Sequence, residues 1–226
     1  IKDLKGKRVL LRLDLNVPIV DGEIRNDFRI RRILKTLQFL KDAGAKTSIV
    51  SHIGSTGEGS LLPVFEELKK IISLQFVESV ENLSSKFETL VPGNFLLLEN
   101  IRRNPGEMTN DPNFSKTLAS CAEIYVNEAF SASHRAHASI VGIPEFLPSY
   151  VGFLFTEEVF HLSKAFNPPK PFLFLLAGDK FQTKLPLVRK FLKIADQVFI
   201  GGALANDLLK AGGHELQYIF DTNAER

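Results

Sequence analysis

Between residues 126 and 142 the sequence reads VNEAFSASHRAHASIVG, which places His134, Arg135 and His137 within four positions among Ser131, Ala132, Ser133, Ala136, Ala138 and Ser139. Side chains that small neither cover nor neutralise three potential cations. The pattern suits an oxyanion ligand such as a phosphate or carboxylate: a guanidinium fork matches two oxygens at once, and small neighbours let the ligand approach the backbone. Taken alone, HRAH also admits a structural histidine pair or a His-x-x-His metal pair, although no third ligand stands nearby. Related residues recur along the chain: Asp14 and Asn16 in RLDLN, His52 in VSHIG, Arg102 in LENIRR, Lys180 in AGDK, and Gly201 and Gly202 in IGG. Asp14 and Asn16 are suited to holding hydroxyl groups or orienting arginines, and equally to forming turns. Arg29 sits among Arg25, Arg31 and Arg32, a run that also reads as a solvated helix face. The paired glycines do not complete a G-x-G-x-x-G pattern.

The elements that must position these groups alternate. KRVLLRLDLNV (7–17) reads as a strand, and 24–46 as a helix with Ile30, Ile33, Leu34, Leu37 and Leu40 on one face, capped by Asn26 or Asp27 and ended by Gly44. TSIVSHIG is a strand, and SLLPVFEELKKII a helix that tolerates Pro63 in its first turn. LQFVESV, NFLLLENIRR and EIYVNEAF are further strands, with the helix DPNFSKTLASCA before the last. KPFLFLLAGDK, LPLVRKFLKIA, DQVFIGG and ALANDLLKAGG then repeat strand, helix, strand, helix. Such alternation predicts an α/β fold of doubly wound, mostly parallel sheets with helices on both faces, in which ligands lie outside the carboxyl ends of the strands. Asp14, Asn16, His52, Arg102, His134, Arg135, His137 and Lys180 fall at those ends. FNPPKP (166–171) marks a boundary, giving a Rossmann-like first domain over 1–150, a connecting helix over 151–170 and an incomplete second α/β domain over 171–226.

Composition narrows the function classes. The chain has 226 residues, 44% hydrophobic and 24% charged, an ordinary globular balance. Its 28 Lys and Arg against 26 Asp and Glu leave a net charge of +2, which gives no general pull toward nucleic acid or membrane, so anion binding must be local. No basic stripe with stacking aromatics supports a nucleic-acid binder. No apolar run reaches the ~20 residues of a membrane span. A single cysteine, Cys121, rules out an internal disulfide framework and suits a reducing, cytoplasmic setting.

RLDLNVPIVDGEIRNDFRI, VSHIG, LLLENIRRNPGEMTNDP, VNEAFSASHRAHASIVG, LLAGDKFQTKL and IADQVFIGGALANDLLKAGG resemble, in the same order, the signature segments of phosphoglycerate kinases. The resemblance touches nearly the whole chain. It implies two hinged α/β domains, the first holding 3-phosphoglycerate or 1,3-bisphosphoglycerate and the second MgADP or MgATP, in a monomeric, cytoplasmic enzyme of glycolysis that makes ATP. Position by position it implies that Asp14, Leu15 and Asn16 hold the glycerate end of the substrate. Arg29, His52, Arg102 and Arg135 form the surrounding basic cluster, and Arg29 steadies the transferring phosphoryl group. Lys184 of QTK meets the nucleotide phosphates as a second catalytic residue, with Lys180 close by and Gly178, Gly201 and Gly202 in nucleotide-facing loops. Mg²⁺ rides on the nucleotide, with no metal ligand assigned in this chain.

The sequence departs from that pattern at several places. Ser55 stands where the family has an arginine, Glu128 replaces an aspartate, and SAS replaces a Gly-Thr-Ala tripeptide. Ala177, Asp179 and Ala203 alter the glycine-rich turns, where bulk and negative charge both oppose a phosphate. The resemblance also implies further strands, an adenine pocket, a magnesium-ligating aspartate and a glycine-rich loop that do not follow Arg226. The expectation is therefore a chain that binds phosphoglycerate and holds a nucleotide poorly. The alternative to the kinase is a truncated or divergent, non-catalytic anion-binding module of the same family.

Overall fold

The computed structural model describes residues 3–178 and 181–215. Two compact units divide at Val159 and Phe160, inside the helix Phe153–Ser163.

Ten strands are present among the described residues: β1 Arg8–Arg12, β2 Ile19–Val20, β3 Glu23–Ile24, β4 Lys46–Val50, β5 Leu74–Val77, β6 Phe95–Leu98, β7 Ile124–Asn127, β8 Ser149–Val151, β9 Leu173–Ala177 and β10 Gln197–Gly201. In the first unit six of them form a sheet in the order β5-β6-β4-β1-β7-β8, every neighbouring pair parallel. The two-residue strands β2 and β3 form a separate antiparallel hairpin.

Residue alternation explains why the sheet is covered on both faces. Val9 and Leu11 join one core with Ile49, Phe95, Leu97 and Val126, packed under the helices that carry Ile30, Leu37, Val64 and Leu68. Leu10 joins the opposite core with Val50, Leu96, Leu98 and Tyr125, under the helices that carry Leu83, Phe87 and Leu118. Strands buried on both faces read as continuous apolar runs, as VLL and FLLL do. Each fully buried leucine contributes about 2 kcal/mol.

The expected helix over 24–46 is two pieces, Phe28–Arg32 and Leu34–Asp42, joined at Ile33. Its start is set by Asn26, whose Oδ1 accepts the Phe28 N–H at 2.9 Å, while Asp27 pairs with Arg31 at 3.1 Å. Elements outside the sequence-based expectation include the β2–β3 hairpin, the helices Leu83–Thr89 and Pro105–Met108, and edge strand β8.

The chain leaves β1 toward β4 but leaves β7 toward β8, so its direction of winding reverses between the adjacent strands β1 and β7. That reversal opens a crevice at their carboxyl ends.

The second unit contains the parallel pair β9 and β10, in register from Leu173 opposite Gln197 to Ala177 opposite Gly201. The helices Phe181–Phe191 and Ala203–Ala211 follow those strands, and Phe174, Leu176, Val188, Ile200 and Leu204 pack together between them. Among the described residues no helix is long and apolar enough to cross a membrane.

Candidate functional site

Asp14 anchors the crevice. It follows β1, and its Oδ1 accepts the backbone N–H of Asn16 at 3.1 Å. Its Oδ2 receives both Nη1 of Arg29 and the hydroxyl of Ser131, which belongs to the loop after β7. Burial raises the Asp14 pKa, but the Ser131 hydrogen bond, the Arg29 charge and the Asn16 N–H outweigh it and hold the carboxyl below its ordinary range. Asn16 accepts the N–H of Gly54 at 3.0 Å and so ties the loop after β1 to the loop after β4. Leu15 between them is fully buried; its N–H donates to Ser51 Oγ and its carbonyl accepts the N–H of Val17.

The arginine run resolves into separate roles. Arg25 pairs with Glu23 at 3.2 Å, Arg31 with Asp27, and Arg32 with Glu157 at 3.3 Å, whereas Arg29 turns to Asp14. Beside Asp14 and Arg29 is a cavity of about 320 Å³ bordered by Phe28, Ser131, Leu154 and Glu158.

Arg102 is the most unusual cation of the group. It is 5% exposed, its Nη1 donates to the carbonyl of Gly54, and both Nε and Nη2 are buried without a hydrogen-bond partner. Those two nitrogens form one edge of the guanidinium, a two-pronged donor that no protein acceptor pairs among the described residues. The residue is set by its neighbours: Asn100 Oδ1 accepts its backbone N–H at 3.2 Å, and Asn100 Nδ2 donates to the carbonyls of Ile53 at 2.8 Å and Gly59 at 3.0 Å. Glu99 accepts the N–H of Leu61 at 2.8 Å and the hydroxyl of Ser60 at 2.7 Å, closing the 53–61 loop over Arg102. Burial, then the charges of Arg135 and Arg12, push the Arg102 pKa down.

His52 is also buried, and its Nδ1 lies 3.1 Å from Nη2 of Arg12. Burial and the charges of Arg12 and Arg102 push its pKa down to about 3, so the imidazole is neutral. Arg135 is exposed and has no carboxylate partner among the described residues, and its charge weighs on both His52 and Arg102. His134 is exposed beside it, Nε2 3.4 Å from Arg135 Nε. His137 turns inward instead, its Nδ1 3.7 Å from the buried Glu107.

Thus the structure gathers Asp14, Asn16, Arg29, His52, Arg102 and Arg135 at one end of one sheet, with cations in excess of carboxylates. Among the described residues no group of three His, Cys, Asp or Glu is placed to hold a metal ion. Sequence reasoning passed over Arg12, Glu99, Asn100, Glu107 and Ser139. The one signal for Arg12 was a charged residue inside a strand whose neighbours are all apolar.

In the second unit Gly178 and Gly202 meet at the carboxyl ends of β9 and β10. Gly202 adopts φ +65° at the start of the helix Ala203–Ala211, and the carbonyl of Gly178 accepts the N–H of Leu204 at 2.9 Å. A Cβ on Gly202 would lie 3.3 Å from the Gly178 nitrogen, so the close approach depends on glycine. A Cβ on Gly178 would lie 3.8 Å from Nζ of Lys184, which places that ammonium beside the same turn. Gly201 ends β10 next to it. Lys180 lies outside the described residues.

Comparison with known proteins is consistent across sequence and fold. The family model described as Phosphoglycerate kinase matches residues 1–224. A phosphoglycerate kinase of Moorella thermoacetica is 40% identical over 224 residues, 95% of this chain and 57% of the relative. One from Wolbachia is 44% identical over 216 residues, 92% of this chain and 54% of the relative. Among solved structures, phosphoglycerate kinase from Coxiella burnetii superposes with a TM-score of 0.82 at 36% identity, covering 95% of this chain and 56% of that one. The enzyme from Pyrococcus horikoshii gives 0.85 at 29% identity, covering 95% and 57%. The chain therefore spans a little over half the length of the relatives it matches.

Proposed function

As the chain belongs to the phosphoglycerate kinase family, we propose that its first unit is the acceptor-binding part of such a kinase, taking 3-phosphoglycerate or 1,3-bisphosphoglycerate in the crevice between β1 and β7. The whole protein then transfers a phosphoryl group reversibly between 1,3-bisphosphoglycerate and ADP, giving 3-phosphoglycerate and ATP.

The observation that carries this reading is the buried donor edge of Arg102, which no protein acceptor pairs among the described residues. A buried charge without a partner costs several kcal/mol, and a dianionic phosphate repays it with two parallel hydrogen bonds. His52 and Arg135 complete that end of the crevice, while Asp14 and Asn16 have the polarity to hold the hydroxyl and carboxyl end. Arg29, half-exposed beside Asp14, is placed to leave its carboxylate and steady a phosphoryl group in transfer, a reaction that asks for positioning and positive charge more than covalent chemistry. The turn of Gly178 and Gly202 with Lys184 alongside has the shape of a phosphate cradle, and it is assigned to the adenine nucleotide as co-substrate, with Mg²⁺ carried on the nucleotide. In this reading residues 1–150 are the acceptor domain, 151–170 the connecting helix and 171–226 the start of the nucleotide domain, in a monomeric, cytoplasmic enzyme.

Calorimetric titration of the chain with 3-phosphoglycerate tests the acceptor site, and a coupled assay of ATP formation tests the transfer. Saturable binding that disappears in Arg102→Met supports the reading; binding unchanged in that variant overturns it. The second reading, anion binding without transfer, is favoured by Ala203, which follows Gly202 at the start of its helix and sets a side chain where a nucleotide phosphate would need close approach to the backbone. Full affinity for 3-phosphoglycerate with no turnover in the protein at its full length would select it.

A further inference from the structure

We propose that Arg12 is a positioning residue for the anion crevice: it fixes His52 as the neutral tautomer protonated on Nε2, so that the imidazole offers the ligand a hydrogen-bond donor. The inference rests on the reading of the crevice as an anion site, but the tautomer it assigns exists whether or not a ligand binds.

Arg12 is fully buried and so cannot touch a ligand itself. A guanidinium has five donors and no acceptor, so its contact with His52 runs in one direction: Nη2 donates to Nδ1 across 3.1 Å. Nδ1 must then keep its lone pair, and the single proton of the neutral ring sits on Nε2. Nε2 has no protein hydrogen bond among the described residues, which leaves its proton for a ligand.

The orientation of Arg12 is fixed in turn. Nη1 donates to the carbonyl of Leu13, and Nε donates to Ser139 Oγ at 2.8 Å. Ser139 has one hydroxyl proton, which goes to Glu107 Oε1 at 2.6 Å, so its oxygen is left to accept from Arg12. Its backbone N–H donates to Glu107 Oε2 at 2.8 Å, and its carbonyl accepts the hydroxyl of Tyr125 at 2.6 Å. Three atoms of Ser139 are thereby locked, and every proton in the series Glu107, Ser139, Arg12, His52 has one direction open to it.

Protonation of His52 does not offer an escape from this arrangement. The charged groups facing it are Arg12, Arg102 and Arg135 against the single carboxylate of Asp14. The ring therefore donates without carrying a charge.

Long-range ¹H–¹⁵N correlation spectra of the ¹⁵N-histidine-labelled chain, recorded without ligand between pH 5 and 8, test the assignment. The wild type should show His52 protonated on Nε2 alone across the range. Arg12→Lys should show a mixture of tautomers, and calorimetry should show about a tenfold loss of 3-phosphoglycerate affinity, the worth of one hydrogen bond. If Arg12→Lys does not fold, Ser139→Ala carries the test: it should mix the tautomers, and Ser139→Thr, which keeps the hydroxyl, should restore the single form. A wild-type ring protonated on Nδ1, or a tautomer untouched by both Arg12→Lys and Ser139→Ala, would overturn the proposal. A fixed Nε2–H form in a wild type that fails to bind 3-phosphoglycerate would overturn the anion reading and leave the tautomer assignment standing.

Discussion

Gly57 and Arg102 meet backbone to backbone: Gly57 is buried at φ +96°, and a Cβ on it would fall inside contact distance of the Arg102 carbonyl oxygen. The arginine is thus held from its main chain as well as through Asn100, and the loop after β4 is part of the site. Gly57→Ala should lower stability by about 2–3 kcal/mol and weaken 3-phosphoglycerate binding together, because the strained backbone and the displaced arginine are one event. Urea unfolding and calorimetry on the same preparation check this; full affinity alongside lost stability would separate the two.

Removing the charge of Arg102 should act oppositely on the free and bound protein. In Arg102→Met the uncompensated buried charge is gone, so the ligand-free protein should be as stable as wild type or more so by about 1–3 kcal/mol. The stabilisation conferred by phosphate, about 2.7 kcal/mol at a hundredfold excess over Kd, should vanish. Melting temperatures measured with increasing inorganic phosphate test both halves, and a variant that still responds to phosphate would contradict the role given to Arg102.

The neutral His52 makes stability depend on pH. Its pKa is about 3 in the folded protein against about 6.5 unfolded, so the folded state binds fewer protons in between. The stabilising contribution is complete above pH 6.5 and is lost as pH falls toward 3, at about 1.4 kcal/mol per unit. His137, whose pKa burial also lowers, acts in the same direction. Asp14, with its pKa depressed below the unfolded value, loses its contribution only as pH falls through that lower range. Unfolding free energies at pH 7, 6 and 5 should therefore decline less steeply in His52→Gln than in wild type; parallel slopes would count against the assignment.

Glu128 governs the start of the helix Phe153–Ser163. Its carboxylate accepts the N–H groups of Leu154 and Phe155, each at 3.0 Å, and the hydroxyl of Thr36, while the residue is 1% exposed. Glu128→Ala should cost about 2–4 kcal/mol by orphaning the helix N–H groups and Thr36. Hydrogen exchange should show protection lost first at Leu154 and Phe155; unchanged exchange there would mean that the helix start is held elsewhere.

Much of this was legible in the sequence because the polar residues fall where apolar runs end. Asp14, His52 and Arg102 each follow a strand whose burial on both faces leaves its carboxyl end as the place for polar chemistry. What was not legible depends on contacts distant along the chain. Arg12 and Ser139 are 127 residues apart, and Ser139 and Glu107 are 32 apart, so no local pattern announces their link. The β2–β3 hairpin had its signal in IVDGEI, where Asp21 and Gly22 take φ +53° and +78°, the left-handed pair that an Asp-Gly turn supplies. The continuous periodicity of 24–46 concealed the break at Ile33, since both pieces keep their apolar residues on the same face.

The central place of β1 also sets an order of events during synthesis. Val9 pairs with Thr47 on one side and with Ile124 on the other, so β1 must wait for one of its partners for more than a hundred residues. Closing so long a loop is slow and brings no reward until the late strand docks. Until β7 has left the ribosome, one edge of β1 stays open, and Ser131 has not yet been joined to Asp14. Ligand binding by a nascent chain would thus report that the sheet has been completed, and a stall before residue 124 would leave an unpaired apolar edge for chaperones to shield.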